Sequence, residues 1–154
     1  MEVEHLNSIY LIGLPLKANE SNQDDISRQD YGQLWQTFEE SEFYDIIPNK
    51  VGNEILAVYH SYDEEFEGSF LYFVGCQVIE GTEVPDGLES FEIPAGLYAK
   101  FTVHGEIPEC TASAWKTIGA ANLDRALIVD FELYDERSAD RDNAVIDIFL
   151  SIKA

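Results

Sequence analysis

The stretch "ALIVDFELYDER", residues 126–137, decides how this chain is read. Its β-branched and aromatic residues, Ile128, Val129, Phe131 and Tyr134, mark a strand. Alternation with a period of two puts Ile128, Asp130, Glu132 and Tyr134 on one face. Leu127, Val129, Phe131 and Leu133 line the other and form an obvious core face. Two readings of the first face stay open. Either it is the wet side of a half-exposed antiparallel strand, or Glu132 lies inside an apolar enclosure that takes a positively charged guest. Asp130 is expected at the solvent or at the rim of such an enclosure. The choice matters because a carboxylate taken out of water without a cation carries a large desolvation cost.

The rest of the chain supplies the partners for this strand. "LNSIYLIGLPL" (6–16) reads as a first strand, followed by a polar loop. In "SRQDYGQLWQTFEESEFYDI" Tyr31, Leu34, Trp35 and Phe38 recur at helical spacing, and Ser27 with Asp30 resembles an N-capping pair. "EILAVYHSY" (54–62) and "SFLYFVGCQV" (69–78) read as a hairpin around the acidic "DEEFEG". The turn-rich "IEGTEVPDG" (79–87) divides the chain near its middle. Beyond it, "LESFEIP" (88–94) and "GLYAKFTVHG" (96–105) are two strands joined at Pro94-Ala95-Gly96. "IPECTASAWKTIG" is a short helix with Thr111, Trp115 and Ile118 on one face, Pro108 in its first turn and Gly119 at its stop. "VIDIFLSI" (145–152) closes the chain as a strand after the polar turn "DERSADRDN". Each half therefore holds strands and one amphipathic helix carrying a tryptophan. The class is α+β with mostly antiparallel sheet.

At 154 residues, 45% hydrophobic and 12% aromatic, the chain has enough apolar material for a real core. Thirty acidic against nine basic residues give a net charge of -21. That field repels phosphate backbones, which argues against direct nucleic-acid contact, and it concentrates cations. Cys76 and Cys110 lie far apart with no CxxC spacing, so a reduced pair is expected. No signal peptide or membrane-length apolar run is legible, and a cytoplasmic location follows as the expectation. His60, Asp63 and Glu64 match no metal-site spacing, and His104 beside Gly105 reads as a strand-end residue, so neither metal nor cofactor is expected.

Five stretches in order, "YGQLWQTF" (31–38), "FLYFVGCQV" (70–78), "EIPAGLYAKFTVHG" (92–105), "FELYDER" (131–137) and "IDIFLSI" (146–152), resemble the gyrase-inhibitor-like family, the effector-binding domain of bacterial multidrug-responsive regulators. The resemblance implies a single domain of two pseudo-symmetric halves, about 5–79 and 88–152. Each half would pack a helix on curved antiparallel strands, with a central ligand cleft between them. It also implies a lipophilic cation as ligand, with the acidic residue of an F-E-x-Y strand as its charge partner. Here that residue is Glu132, with Tyr134 completing the pattern. Two departures stand out: Ser151 where the family often has a proline-containing strand end, and a short connection between Trp115 and Glu132.

A pocket for such a guest needs apolar walls and aromatic faces, each ring contributing about 0.5–2 kcal/mol of cation–π attraction. Trp35, Trp115, Tyr59, Tyr72 and Phe149 are the candidate walls beside Glu132 and Tyr134, with Tyr10, Tyr31, Tyr62, Tyr98 and Phe73 behind them. The reading is a stand-alone sensing or sequestering protein, filled by the one domain and without a helix-turn-helix. The resemblance admits that it is an integron cassette protein. Two other classes stay open: a hydrolase of small electrophiles using Glu132 and Tyr134 as acid and base, and an acidic module that binds a protein partner. The oligomeric state is not legible.

Overall fold

A computed structural model describes residues 2–16, 34–39, 43–63, 69–107, 109–120 and 124–153. Eight antiparallel strands form one sheet in the order β1-β6-β8-β7-β3-β4-β2-β5. They are β1 (Glu2–Leu6), β2 (Ile9–Leu16), β3 (Lys50–Asp63), β4 (Ser69–Val78), β5 (Glu89–Ile93), β6 (Gly96–Gly105), β7 (Arg125–Tyr134) and β8 (Ala144–Ile152). Residues 34–39 lie in helix α1; α2 is Phe43–Ile46, α3 is Glu109–Ala120, and a 3-10 turn covers Glu136–Ser138. The capping pair at Ser27 and Asp30, together with Tyr31, lies outside the described residues.

The strand order reads the same from both ends when β1, β6, β8 and β7 are matched with β5, β2, β4 and β3. Each half is then a strand, a helix and a hairpin, and the two halves meet where β3 runs antiparallel to β7. One detail departs from the sequence expectation. The expected single strand over 6–16 is two, broken at Asn7-Ser8, and the halves exchange their leading strands: β1 pairs with β6, and β5 pairs with β2. The strands joined at Pro94-Ala95 are therefore not partners of each other.

This exchange forces the sheet to curl. In a flat sheet β1 and β2 would stand six strand spacings apart, about 29 Å. The two residues between Leu6 and Ile9 reach only about 11 Å. The short Pro94-Ala95 link imposes the same closure between β5 and β6, and the Tyr98 hydroxyl donates to the Pro94 carbonyl at 2.7 Å to fasten it. Gly13 pairs with Gly75 where β2 crosses β4. A Cβ at Gly75 would stand 2.6 Å from the Ile12 carbonyl oxygen, so side chains there would push these bent strands apart.

The curl gives the sheet two distinct faces. Its inner face packs Leu11, Leu56, Val58, Phe73, Ile93, Tyr98, Val129, Phe131 and Phe149 into one cluster, joined by Leu6 and Ile9 from the seam. Phe131 and Phe149 stack at 4.7 Å and 12° at its centre. The helices cover the other face, α1 over β3, β4 and β2 and α3 over β6 and β8. On α3 the residues turned to the sheet are Thr111, Trp115 and Ile118, as the spacing predicts.

Truncating the centre of the inner cluster removes stacking and leaves a cavity. Phe131→Ala is expected to cost about 3–5 kcal/mol. In urea unfolding this appears as a lower midpoint with an unchanged slope.

Candidate functional site

The strand β7 is buried on both faces through its middle. Val129 and Phe131 face the inner cluster, while Glu132, only 2% exposed, faces the helices. The wet-face reading of Glu132 therefore fails, and the exposed residue on that side of β7 is Ile128, 57% exposed. In the ladder Glu132 stands between Ala57 of β3 and Ile148 of β8. Neither neighbour offers a polar side chain, so the carboxylate finds its partners above the sheet.

Those partners are aromatic. The Trp115 indole Nε1 donates to Glu132 Oε2 at 2.6 Å, and the Tyr59 hydroxyl donates to the same oxygen at 3.3 Å. The Tyr134 hydroxyl donates to Oε1 at 2.8 Å. A second layer holds these rings: Trp35 Nε1 donates to the Tyr72 hydroxyl at 2.8 Å, and Tyr59 and Tyr72 lie 5.0 Å apart. The ring contacts cross the pseudo-symmetry axis. Trp35 of the first half meets Tyr134 of the second edge-on at 4.9 Å, and Trp115 of the second meets Tyr59 of the first at 5.1 Å.

Burial pushes the Glu132 carboxyl above the usual carboxylate range, opposed by its hydrogen bonds from Trp115, Tyr134 and Tyr59. Burial, then the charge of Glu132, pushes the Tyr134 phenol well up, so it is held protonated as a donor. Burial and, further down, the charge of Glu132 also raise the Cys110 thiol, which places the first turn of α3 near the same carboxylate. Among the described residues no Lys, Arg or His forms an ion pair with Glu132. The arrangement is a single buried carboxyl, hydrogen-bonded by ring N–H and O–H groups and walled by aromatic rings.

Six of the seven candidate residues thus converge: Glu132, Tyr134, Trp35, Trp115, Tyr59 and Tyr72. Phe149 does not join them. It is on the inner face, stacked on Phe131, with the Lys100 ammonium 5.8 Å from its ring centre. The cause is register: Phe149 pairs with Phe131, one residue from Glu132, and one residue reverses the face. Asp130 also differs from expectation. It is 0% exposed, not at a rim, and Arg125 Nη2 binds its Oδ2 at 2.5 Å. Of the weaker candidates, Phe73 and Tyr98 belong to the inner cluster and Tyr10 packs under the helices, while the side chains of Tyr31 and Tyr62 lie outside the described set. His60 packs its ring 4.4 Å from Phe91, where burial pushes its pKa down. The sequence reading missed Ala57, whose small side chain leaves the space over Glu132 to the rings. Nothing in its local pattern signals that place, because the pairing with β7 is set across 75 residues of chain.

The family model described as integron-associated effector binding protein matches residues 2–152. The transcriptional regulator BrlR of Pseudomonas aeruginosa is 33% identical over 127 residues, which cover 79% of this chain and 46% of BrlR. YobU of Bacillus subtilis (strain 168), which carries the name of a transcriptional regulator, is 32% identical over 102 residues, 64% of each protein. The chain thus spans less than two thirds of either relative. Among solved structures, SAV2435 bound to tetraphenylphosphonium shares the fold with a TM-score of 0.79 at 14% identity, over 99% of this chain and 93% of its own. The Vibrio cholerae integron cassette protein VCH_CASS2 does so with a TM-score of 0.72 at 18% identity, over 99% and 95%. Among the described residues no helix is long and apolar enough to cross a membrane.

A carboxyl whose folded pKa is raised holds its proton more tightly in the folded state. Its ionisation therefore removes stability as pH rises from the ordinary Glu range, near 4.3, through the folded value. Glu132→Gln abolishes that loss. The variant is expected to melt a few degrees above wild type at pH 8, about 1 kcal/mol of stabilisation, with the gap closing toward pH 4. Thermal melts across this range check it; a variant less stable at pH 8 than at pH 4, relative to wild type, would contradict the stated direction.

Proposed function

This chain belongs to the integron-associated effector-binding family, and from that premise we propose that its effector is a lipophilic cation held against Glu132. One observation carries the reading: a buried carboxylate beside the cluster of Trp35, Trp115, Tyr59, Tyr72 and Tyr134, with aromatic donors as its neighbours and, among the described residues, no protein cation paired with it.

The carboxylate is already out of water, so an entering cation gains Coulomb attraction at low dielectric while part of the desolvation cost has been met in folding. The rings offer their electron-rich faces, each adding about 0.5–2 kcal/mol. The net charge of -21 raises the local concentration of cations at the surface and speeds their encounter. A lipophilic cation suits these features better than a hydrated metal ion, because rings cannot replace the oxygen ligands of a hard cation. The similar fold of SAV2435, solved bound to tetraphenylphosphonium, supports the choice of probe. The role that fits such binding is sensing or sequestration of an organic cation.

Titration with tetraphenylphosphonium, followed through the fluorescence of the two tryptophans, tests the reading. Wild type is expected to bind in the micromolar range and Glu132→Gln at least tenfold more weakly, a difference of about 1.4 kcal/mol. Affinity is expected to rise with pH through the raised titration of Glu132 in wild type and to stay flat in the variant. Equal affinities in the two proteins would sink the proposal.

A further inference from the structure

The ladder between β7 and β8 contains a large irregularity two residues before Glu132. Arg125 pairs with Ile152, and the next pair is Asp130 with Leu150. Four residues of β7, 126–129, therefore stand opposite Ser151 alone. A bulge of that size leaves backbone groups without ladder partners and leaves the count of residues on the longer strand unspecified. Ser151 and Asp130 fill the gap. The Ser151 hydroxyl oxygen accepts from the backbone N–H groups of Ile128 and Val129 at 3.2 and 3.3 Å. The Ser151 backbone N–H donates to Asp130 Oδ1 at 3.0 Å, with its hydroxyl 3.4 Å from the same atom. Arg125, from the start of β7, closes on Asp130 Oδ2. Asp130 and Ser151 are both buried.

We propose that Asp130 and Ser151 form a clasp that fixes the register of β7 against β8 and so places Glu132 under the Trp115 indole. They are positioning residues for the site, and the inference rests on the cation-binding reading only for its effect on ligand. Two strands hold β7, and they carry different parts of the site. Pairing with β3 sets Glu132 relative to Tyr59. Trp115, however, rides on α3, which packs on Ile148 and Leu150 of β8 and on Phe101 and Val103 of β6. The Trp115-to-Glu132 hydrogen bond therefore reports the β7–β8 register, and the clasp sits where that register restarts. A slip of one residue would put Glu132 on the face of Phe131 and Phe149. A serine at 151 supplies both the N–H and the hydroxyl that the clasp uses; a proline there would supply neither.

The test uses Ser151→Ala, Asp130→Asn and the conservative Ser151→Thr, with two readouts. The first needs no ligand: the indole N–H resonance of Trp115, assigned by its change in Glu132→Gln, with the Trp35 indole as internal reference. In Ser151→Ala and Asp130→Asn the Trp115 resonance is expected to move toward its position in Glu132→Gln, while Ser151→Thr keeps the wild-type position. The second is tetraphenylphosphonium affinity, expected to fall about tenfold in the first two variants and to be retained in the third. A Trp115 resonance unchanged in both Ser151→Ala and Asp130→Asn overturns the clasp, as does loss in Ser151→Thr equal to that in Ser151→Ala. Unfolding of both disruptive variants at 25 °C overturns it too, since the clasp would then hold the whole sheet instead of the carboxylate. Failure of wild type to bind the cation, with the resonance shifts as expected, rejects the ligand reading and leaves the clasp standing.

Discussion

A carboxylate that is 2% exposed and has no cationic partner among the described residues is the constraint around which this structure is arranged. Every unit by which burial raises its pKa represents about 1.4 kcal/mol of disfavoured charge. Three ring donors offset part of that cost, and burial outweighs them. These donors are neutral, so they solvate the anion without cancelling it. In the proposed function, the residual negative potential is what a cation meets. A Lys or Arg in the same place would have neutralised the carboxylate and, in the proposed function, removed the reason for a cation to enter.

The pseudo-two-fold arrangement explains how so many rings reach one charge. Each helix lays its tryptophan edge-on against a tyrosine of the opposite half, Trp35 on Tyr134 and Trp115 on Tyr59. The symmetry is broken at the axis itself: Glu132 on β7 is paired with Ala57 on β3. Two carboxylates there would repel at short range, whereas one carboxylate beside a methyl group leaves the site with a single charge. The pairing also ties the halves together, since each tryptophan packs edge-on against a tyrosine of the other half, while Trp35 in addition donates to Tyr72 of its own half.

Curling of the sheet separates stability from recognition. The exchange of leading strands, with its two-residue links, closes the phenylalanine-rich inner face into a core. The opposite face is then left to the helices and the site. Asp130 and Glu132 show how differently one strand treats two acids: Asp130 is neutralised by Arg125 and tied to Ser151, and Glu132 is left to aromatic donors. The first acid serves the architecture, and the second carries the charge that the architecture keeps available.

Local periodicity in the sequence carries the α+β class, the two tryptophan-bearing helical segments and the strands beside them, whereas the pseudo-symmetric halves and the enclosed reading of Glu132 came from the family resemblance, since alternation alone left the wet-face reading open. Glu132, Tyr134, Trp35, Trp115, Tyr59 and Tyr72, the candidates that the structure brings together, could be singled out because aromatic residues on the apolar faces of a helix or hairpin are limited to a few places. Phe149 was misplaced because the face of a strand residue depends on register, and the register of β8 is set by pairs with β6 and β7 that lie far away along the chain. Asp130 looked like its neighbour Glu132 by alternation alone; only the bulge opposite Ser151 brings Arg125 onto it. The exchange of β1 and β5 was likewise invisible, because a two-residue break such as Asn7-Ser8 does not state which strand comes next in space. Local pattern chose the residues, and non-local pairing chose which of them face the same charge.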